Sequence, residues 1–283
     1  MTLGYDPVVP ATDESSGTGG SDMSDAAGQE RHRSGKTIVL ESDGQVAILR
    51  FDRPPANAID LDLVHQMGTT LDEVETSRPS ALVLTGTGSF FSGGLDLKAV
   101  PSYSPERQRD LLLAVNRTIW RLYGLPMPVV AAVNGHSVAG AFILTLTADY
   151  RVGPIGRAQF GLTEARVGIP FPAAAMTVLR AELAPADVRY FTLWSRNVDA
   201  DEARRRGVFD ELVGPEAVLP RALEVARDMA TIPCDAYRRI KHQVRAGALA
   251  RLEEIVASRS DPMLDAWVSP DAASASAAVL RGE

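Results

Sequence analysis

Cysteine is almost missing: Cys234 is the only one in 283 residues, so no disulfide can form within the chain. That suits a reducing compartment and gives the expectation of a cytoplasmic location. Histidine is scarce as well. His32, His65, His136 and His242 show no metal-ligand spacing, so no structural zinc is expected. No apolar run reaches the ~18–20 residues of a membrane span, and no membrane partner is expected. Positive charge is in deficit: the formal net charge of −7 argues against a nucleic-acid or anionic-membrane partner. Arg31, Arg33 and Lys36 form a basic group too small to reverse that. Residues 1–35 lack aromatic and β-branched runs and are rich in Ser, Gly, Asp, Thr and Ala, so they read as a disordered tail. The tail has no secretory apolar stretch, is too acidic for a mitochondrial transit peptide, and contains Met23, a possible alternative start.

What remains is long enough for one large domain or a core with an appendage. Two apolar runs, 37–41 and 45–51, flank Asp43-Gly44, a hairpin signal. Helical spacing runs over 60–74 and 105–123, and buried strands over 81–85 and 129–133. A helix over 141–148 and short strands at 150–152 and 159–160 follow. Asp199 with Glu202 opens a helix that Gly207 stops. This is an α/β pattern to about residue 214. From Pro220 onward the chain reads as helical: 221–230, 235–257, and a last helix opened by Ser269-Pro270-Asp271. The division expected is a tail over 1–35, a core over 36–219 and a helical region over 220–283.

Four segments offer chemistry. Leu84-Thr85-Gly86-Thr87-Gly88 follows a strand, but Phe91 replaces the third glycine of a dinucleotide fingerprint and no acidic residue ends a second strand. Gly135-His136-Ser137-Val138-Ala139-Gly140 nearly matches a nucleophile elbow, with its last glycine one place late. The only later histidine, His242, lies in Arg238–His242, which reads as a helix surface, so Ser137 reads as a packing residue. Gly140 either permits tight strand-to-helix packing or turns a free N–H toward a developing negative oxygen. Ser92-Gly93-Gly94-Leu95-Asp96 carries the same ambiguity, with Asp96 a cap rather than an acid. Glu164 lies between apolar stretches and glycine turns. It is either a surface partner of Arg166 or a partly buried base with a raised pKa.

These segments in this order resemble the crotonase (enoyl-CoA hydratase/isomerase) superfamily, over about residues 37–283. The matching residues are Asp52-Arg53-Pro54, Asn57-Ala58-Ile59, 82–86, Phe91-Ser92-Gly93-Gly94-Leu95-Asp96-Leu97, Val133-Asn134-Gly135, Ala139-Gly140, Asp149-Tyr150-Arg151 and Phe160-Gly161 through Glu164 to Gly168. The resemblance implies a spiral of ββα repeats and C-terminal helices that form a homotrimer or a dimer of trimers. It implies an acyl-CoA thioester whose oxygen is held by the N–H groups of Leu95 and Gly140, with Glu164 as the proton carrier. Coenzyme A enters as part of the substrate, with no separate cofactor. The residues it places around CoA are Arg53, Ala56, Gly93, Gly94, Asp96, Leu97 and Lys98, with Lys241 a further cation for a phosphate. Phe142, Ile143 and Pro170 would line the pocket. One departure matters. The second glutamate of the hydratases should stand three residues after Gly140, where this chain has Ile143. The pattern therefore looks like the single-glutamate Δ3,Δ2-enoyl-CoA isomerases. A hydratase with a substitute acid, a silent acyl-CoA binder and, more remotely, a serine hydrolase stand as alternatives.

Overall fold

The computed structural model describes residues 37–267. The expected tail over 1–35 and the helix expected to open at Ser269 lie outside the described residues. Strands β1 (Ile38–Asp43) and β2 (Val46–Phe51) form the antiparallel hairpin around Asp43-Gly44, with Gly44 at φ +62° as such a turn requires. Helix α1 (Leu61–Ser77) starts where the Asp60 carboxylate accepts the Leu63 N–H, and buries Leu63, Val64, Met67, Leu71 and Val74. Then come β3 (Ala81–Gly86), β4 (Phe90–Ser92), α2 (Pro105–Gly124), β5 (Val129–Ala132), β6 (His136–Val138), α3 (Gly140–Leu146), β7 (Tyr150–Pro154) and β8 (Phe160–Gly161). Beyond them lie α4 (Ala173–Glu182), α5 (Pro185–Arg189), a π-helical segment (Tyr190–Trp194), α6 (Ala200–Arg205), β9 (Glu211–Val213), α7 (Val218–Met229), α8 (Cys234–Ser258) and α9 (Leu264–Trp267).

The strands sort into two sheets. The larger runs β1-β2-β3-β5-β7-β9, parallel after the hairpin, and the smaller is β4-β6-β8. Successive strand pairs thus place one strand in each sheet before a helix returns the chain, so the repeat is ββα and the path is a spiral. Strands of the larger sheet are apolar on both sides because both faces are covered. Leu82, Leu84, Val129 and Ala131 face the main core with α1 and α2. Ala81, Val83, Val130 and Ala132 face a second cluster closed by Val218, Ala222, Val225 and Ala226 of α7. The alternation follows from the two-residue period of a strand.

Polar side chains hold the loops of the smaller sheet. Asn57, fully buried at φ +51°, donates to the carbonyls of Thr87, Phe90 and Phe91 and accepts the Arg53 N–H. Ser92 donates to the Asn57 carbonyl at 2.7 Å. The Asn134 side chain accepts from Gly86 and donates to Gly88 and Phe90. These bonds satisfy buried backbone groups that such short strands leave over.

Candidate active site

The two glycine segments meet. Leu95 pairs with Ile59 as an isolated parallel bridge: the Ile59 N–H donates to Gly94 and the Asp96 N–H to Ile59. Because strand groups alternate in direction, the Leu95 N–H points away from Ile59. Gly94, at φ +77°, packs directly on the turn before α3. A β-carbon there would stand 2.6 Å from the Ala139 β-carbon and 3.1 Å from the Gly140 nitrogen. Ala139 itself holds φ +52°, a conformation that costs a non-glycine residue about 1–3 kcal/mol and aims the first N–H of α3. The first amide of a helix has no partner inside the helix. Leu95, Gly140 and Glu164 line one cavity of about 50 Å³, with Ile59, Leu63, Val64, Met67, Thr118, Ile119, Ile143 and Trp267 among its other walls.

Glu164 opens a 3₁₀ turn, Glu164–Val167, that Gly168 closes at φ +68°. Its carbonyl accepts the Gly168 and Ile169 N–H groups, so its backbone is fixed. The side chain is 7% exposed, and its Oε2 is buried with no hydrogen-bond partner among the described residues. Burial raises the carboxyl pKa to about 7, against a smaller downward pull from its own N–H and that of Thr163. The Arg166 pairing does not occur. Arg166 donates to the carbonyls of Trp194 and Ser195 instead, which ties the Glu164 turn to the π-helical segment. Glu164 is the one carboxylate among the residues that line the cavity, and Ile143 lines the same cavity.

Other expected site residues fall elsewhere. Arg53 bonds Asp96, Asp60 and the Ala58 carbonyl, so its charge is matched by two carboxylates instead of facing open solution. Asp96 is a cap, as its spacing suggests: Oδ1 accepts the N–H groups of Lys98 and Ala99. Burial pushes the Asp96 carboxyl up, but Arg53 and those two amides outweigh it and hold the pKa below the ordinary value. Ala56 accepts the Gly93 N–H, which seats the glycine pair; Leu97 packs against the core and Lys98 is exposed. Phe142 is not on the cavity wall. It faces the core, with its ring 4.8 Å from that of Phe191. Pro170 is off the wall too, and Pro172 lines the cavity in its place; the Pro170 carbonyl accepts the indole N–H of Trp267, which is itself a wall residue. Lys241 is buried against Asp149 and the Met127 carbonyl, out of reach of a phosphate.

Two further features behave as the plain readings predict. Ser137 shares a buried hydrogen bond with Thr145, and His242 is exposed on α8. No elbow nucleophile is assembled. Among the described residues no cluster of three acidic, His or Cys side chains could hold a metal, and no helix is long and apolar enough to cross a membrane. Sequence reasoning missed Trp267 and Thr118 as cavity residues. Trp267 lies beyond the helix read over 235–257 and matches no motif, and a threonine inside a helix carries no signal of its direction.

Comparison with known proteins agrees with this geometry. The family model described as enoyl-CoA hydratase/isomerase matches residues 41–272. A short-chain-enoyl-CoA hydratase of Clostridium acetobutylicum is 26% identical over 247 residues, covering 86% of this chain and 94% of that protein. A carnitinyl-CoA dehydratase of Citrobacter koseri is 32% identical over 221 residues, 77% of this chain and 84% of that one. The solved human mitochondrial Δ3,Δ2-enoyl-CoA isomerase superposes with a TM-score of 0.75 at 26% identity, covering 87% of this chain and 97% of that one. A sheet pair wound as a ββα spiral, a cavity lined by Leu95, Gly140 and Glu164, and a family model matching nearly all described residues lead to one assignment: the chain belongs to the enoyl-CoA hydratase/isomerase family and has its crotonase fold.

Proposed function

We propose that the protein is a Δ3,Δ2-enoyl-CoA isomerase. The observation that carries this reading is the pairing of Glu164, a buried carboxyl with a pKa of about 7, with Ile143 where a second acid would have to act. The thioester oxygen of a 3-enoyl-CoA accepts hydrogen bonds from the N–H groups of Leu95 and Gly140. These bonds strengthen as negative charge builds on that oxygen, so they favour the dienolate over the ground state. Glu164 takes a proton from C2; the C2–H electrons and the C3=C4 double bond become the dienolate. The same carboxyl then protonates C4, leaving the double bond between C2 and C3. No water enters the balance, and Ile143 with the apolar walls keeps it out. Gly93, Gly94, Leu97 and Lys98 border the entry side for the CoA moiety, with a homotrimer as the working assembly.

Hydration or dehydration is the second reading, favoured by the names of the two curated relatives. Purified protein given 3-hexenoyl-CoA should gain absorbance of the conjugated thioester, while crotonyl-CoA should keep it. Loss of the crotonyl-CoA signal at a comparable rate overturns the isomerase reading. No change with either substrate turns it into a binder.

A further inference from the structure

Helices α1 and α2 pack side by side, and there is open space on both sides of their contact. On the inner side lies the cavity of about 50 Å³ that holds Glu164. On the outer side lies a groove of about 810 Å³ bounded by α1, α2 and the end of α8. Two residues, Val64 on α1 and Thr118 on α2, line both spaces. Each is nearly buried. The wall between the site and the groove is therefore one side chain thick at this point.

We infer that Val64 and Thr118 form a partition that sets the length of acyl chain the site accepts. This rests on the acyl-CoA reading of the site. A chain leaving the thioester runs along Ile59, Leu63, Met67 and Ile119 and ends against the pair. Beyond it, Leu113, Ala114, Trp120 and Val256 give the groove an apolar floor on which further methylenes could lie, while Arg117 and Asp72 form its polar rim. A short chain fits whole. A longer chain must displace the partition, and one surplus methylene in an apolar pocket already costs about tenfold or more.

The test is equilibrium binding of saturated acyl-CoAs, butanoyl through dodecanoyl, to the full chain by titration calorimetry. The native protein should bind decanoyl-CoA at least about tenfold more weakly than its preferred short chain. Val64→Ala with Thr118→Ala should raise the decanoyl-to-butanoyl affinity ratio by at least about tenfold. Val64→Phe should move the preference to shorter chains. Thr118→Ser removes a single methyl and gives the same direction should the double variant fail to fold. Equal native affinity for hexanoyl and dodecanoyl chains, or variants that weaken every length alike, overturns the partition. Because binding is read without turnover, length-selective binding with 3-enoyl-CoA left unchanged would sink the isomerase reading and leave the partition standing. No binding at any length sinks both.

Discussion

Glu164 is half ionised near neutrality, and both its catalytic and its stability behaviour follow from that. As a base it must be deprotonated, so kcat/KM should climb with a midpoint near pH 7 and level off above it. Glu164→Gln should cut kcat by about 10²–10⁴ and abolish that midpoint. The stability effect has the opposite sign. A carboxyl that folding lifts from the ordinary 4.5 to about 7 leaves the native state unpenalised below about pH 4.5. The penalty grows as pH rises through that interval and is complete above 7. Glu164→Gln should therefore stabilise the fold by up to about 3 kcal/mol at pH 8 and by nearly nothing at pH 4, as urea unfolding at the two values would show. The two glycines divide in the same way between fold and function. Gly94→Ala adds a methyl at positive φ against Ala139 and should lower both stability and activity. Gly140→Ala meets only Ile59 at 3.6 Å, so its melting should stay native while its methyl crowds the cavity and lowers kcat/KM by about tenfold. Much of this was legible in the sequence, since glycine and an isolated acid between apolar runs announce tight turns and burial. The directions of Phe142 and Pro170 were not. Helix position alone does not say which of two apolar surroundings a ring enters.

Helix α8 is held by charges that the sequence hides. Lys241 and Arg245, one turn apart, are both buried. Asp149 accepts from Lys241 at 2.7 Å, from the Val129 N–H at 2.8 Å and from Arg245 at 3.1 Å. Arg245 also reaches Glu182 and the carbonyls of Tyr123, Thr147 and Ala148, and lies over the Tyr123 ring; Arg151 pairs with Glu182 as well. Removing one member of such a buried set strands the others without a partner. Asp149→Ala should cost about 3–5 kcal/mol, seen as a fall in thermal midpoint and early exposure of α8 to proteolysis. Spacing places residues 238–242 on a helix surface, and all but Lys241 are exposed; Lys241 escapes that reading because charged side chains signal solvent unless their partners are known, and Asp149 and Glu182 lie far away in sequence. The long elements α1, α2, β3 and β5 appeared within a few residues of their bounds. β4, β6 and β8, two or three residues each, are too short to show an alternation, yet they build the sheet that brings Leu95 and Gly140 together.

For the whole chain, one stretch of α8 matters: Leu252 and Ile255 of this helix lie in the core, but residues 240–245 are inverted. Lys241 and Arg245 face the core there, while Ile240 and Val244, one residue earlier in each case, point to solvent; Val244 is 79% exposed. Leu193 at 78% and Trp194 at 54% are exposed on the π-helical segment that Arg166 clamps to the Glu164 turn. A single helix with apolar side chains outward gains nothing in water, whereas burial of the same area stabilises by about 25 cal/mol per Å². Self-association would cover these side chains, and a trimer is the assembly that the family resemblance implies and that no periodicity in the chain reveals. The native protein should therefore run as a trimer or a multiple of three in light scattering after gel filtration. Ile240→Glu with Val244→Glu should shift it to smaller species at micromolar concentration, because two buried carboxylates per subunit cannot be matched by partners. Both positions point away from the core, so the far-ultraviolet circular dichroism of the variant should stay native. A native chain that runs as a monomer would leave the outward apolar face of α8 without this cause.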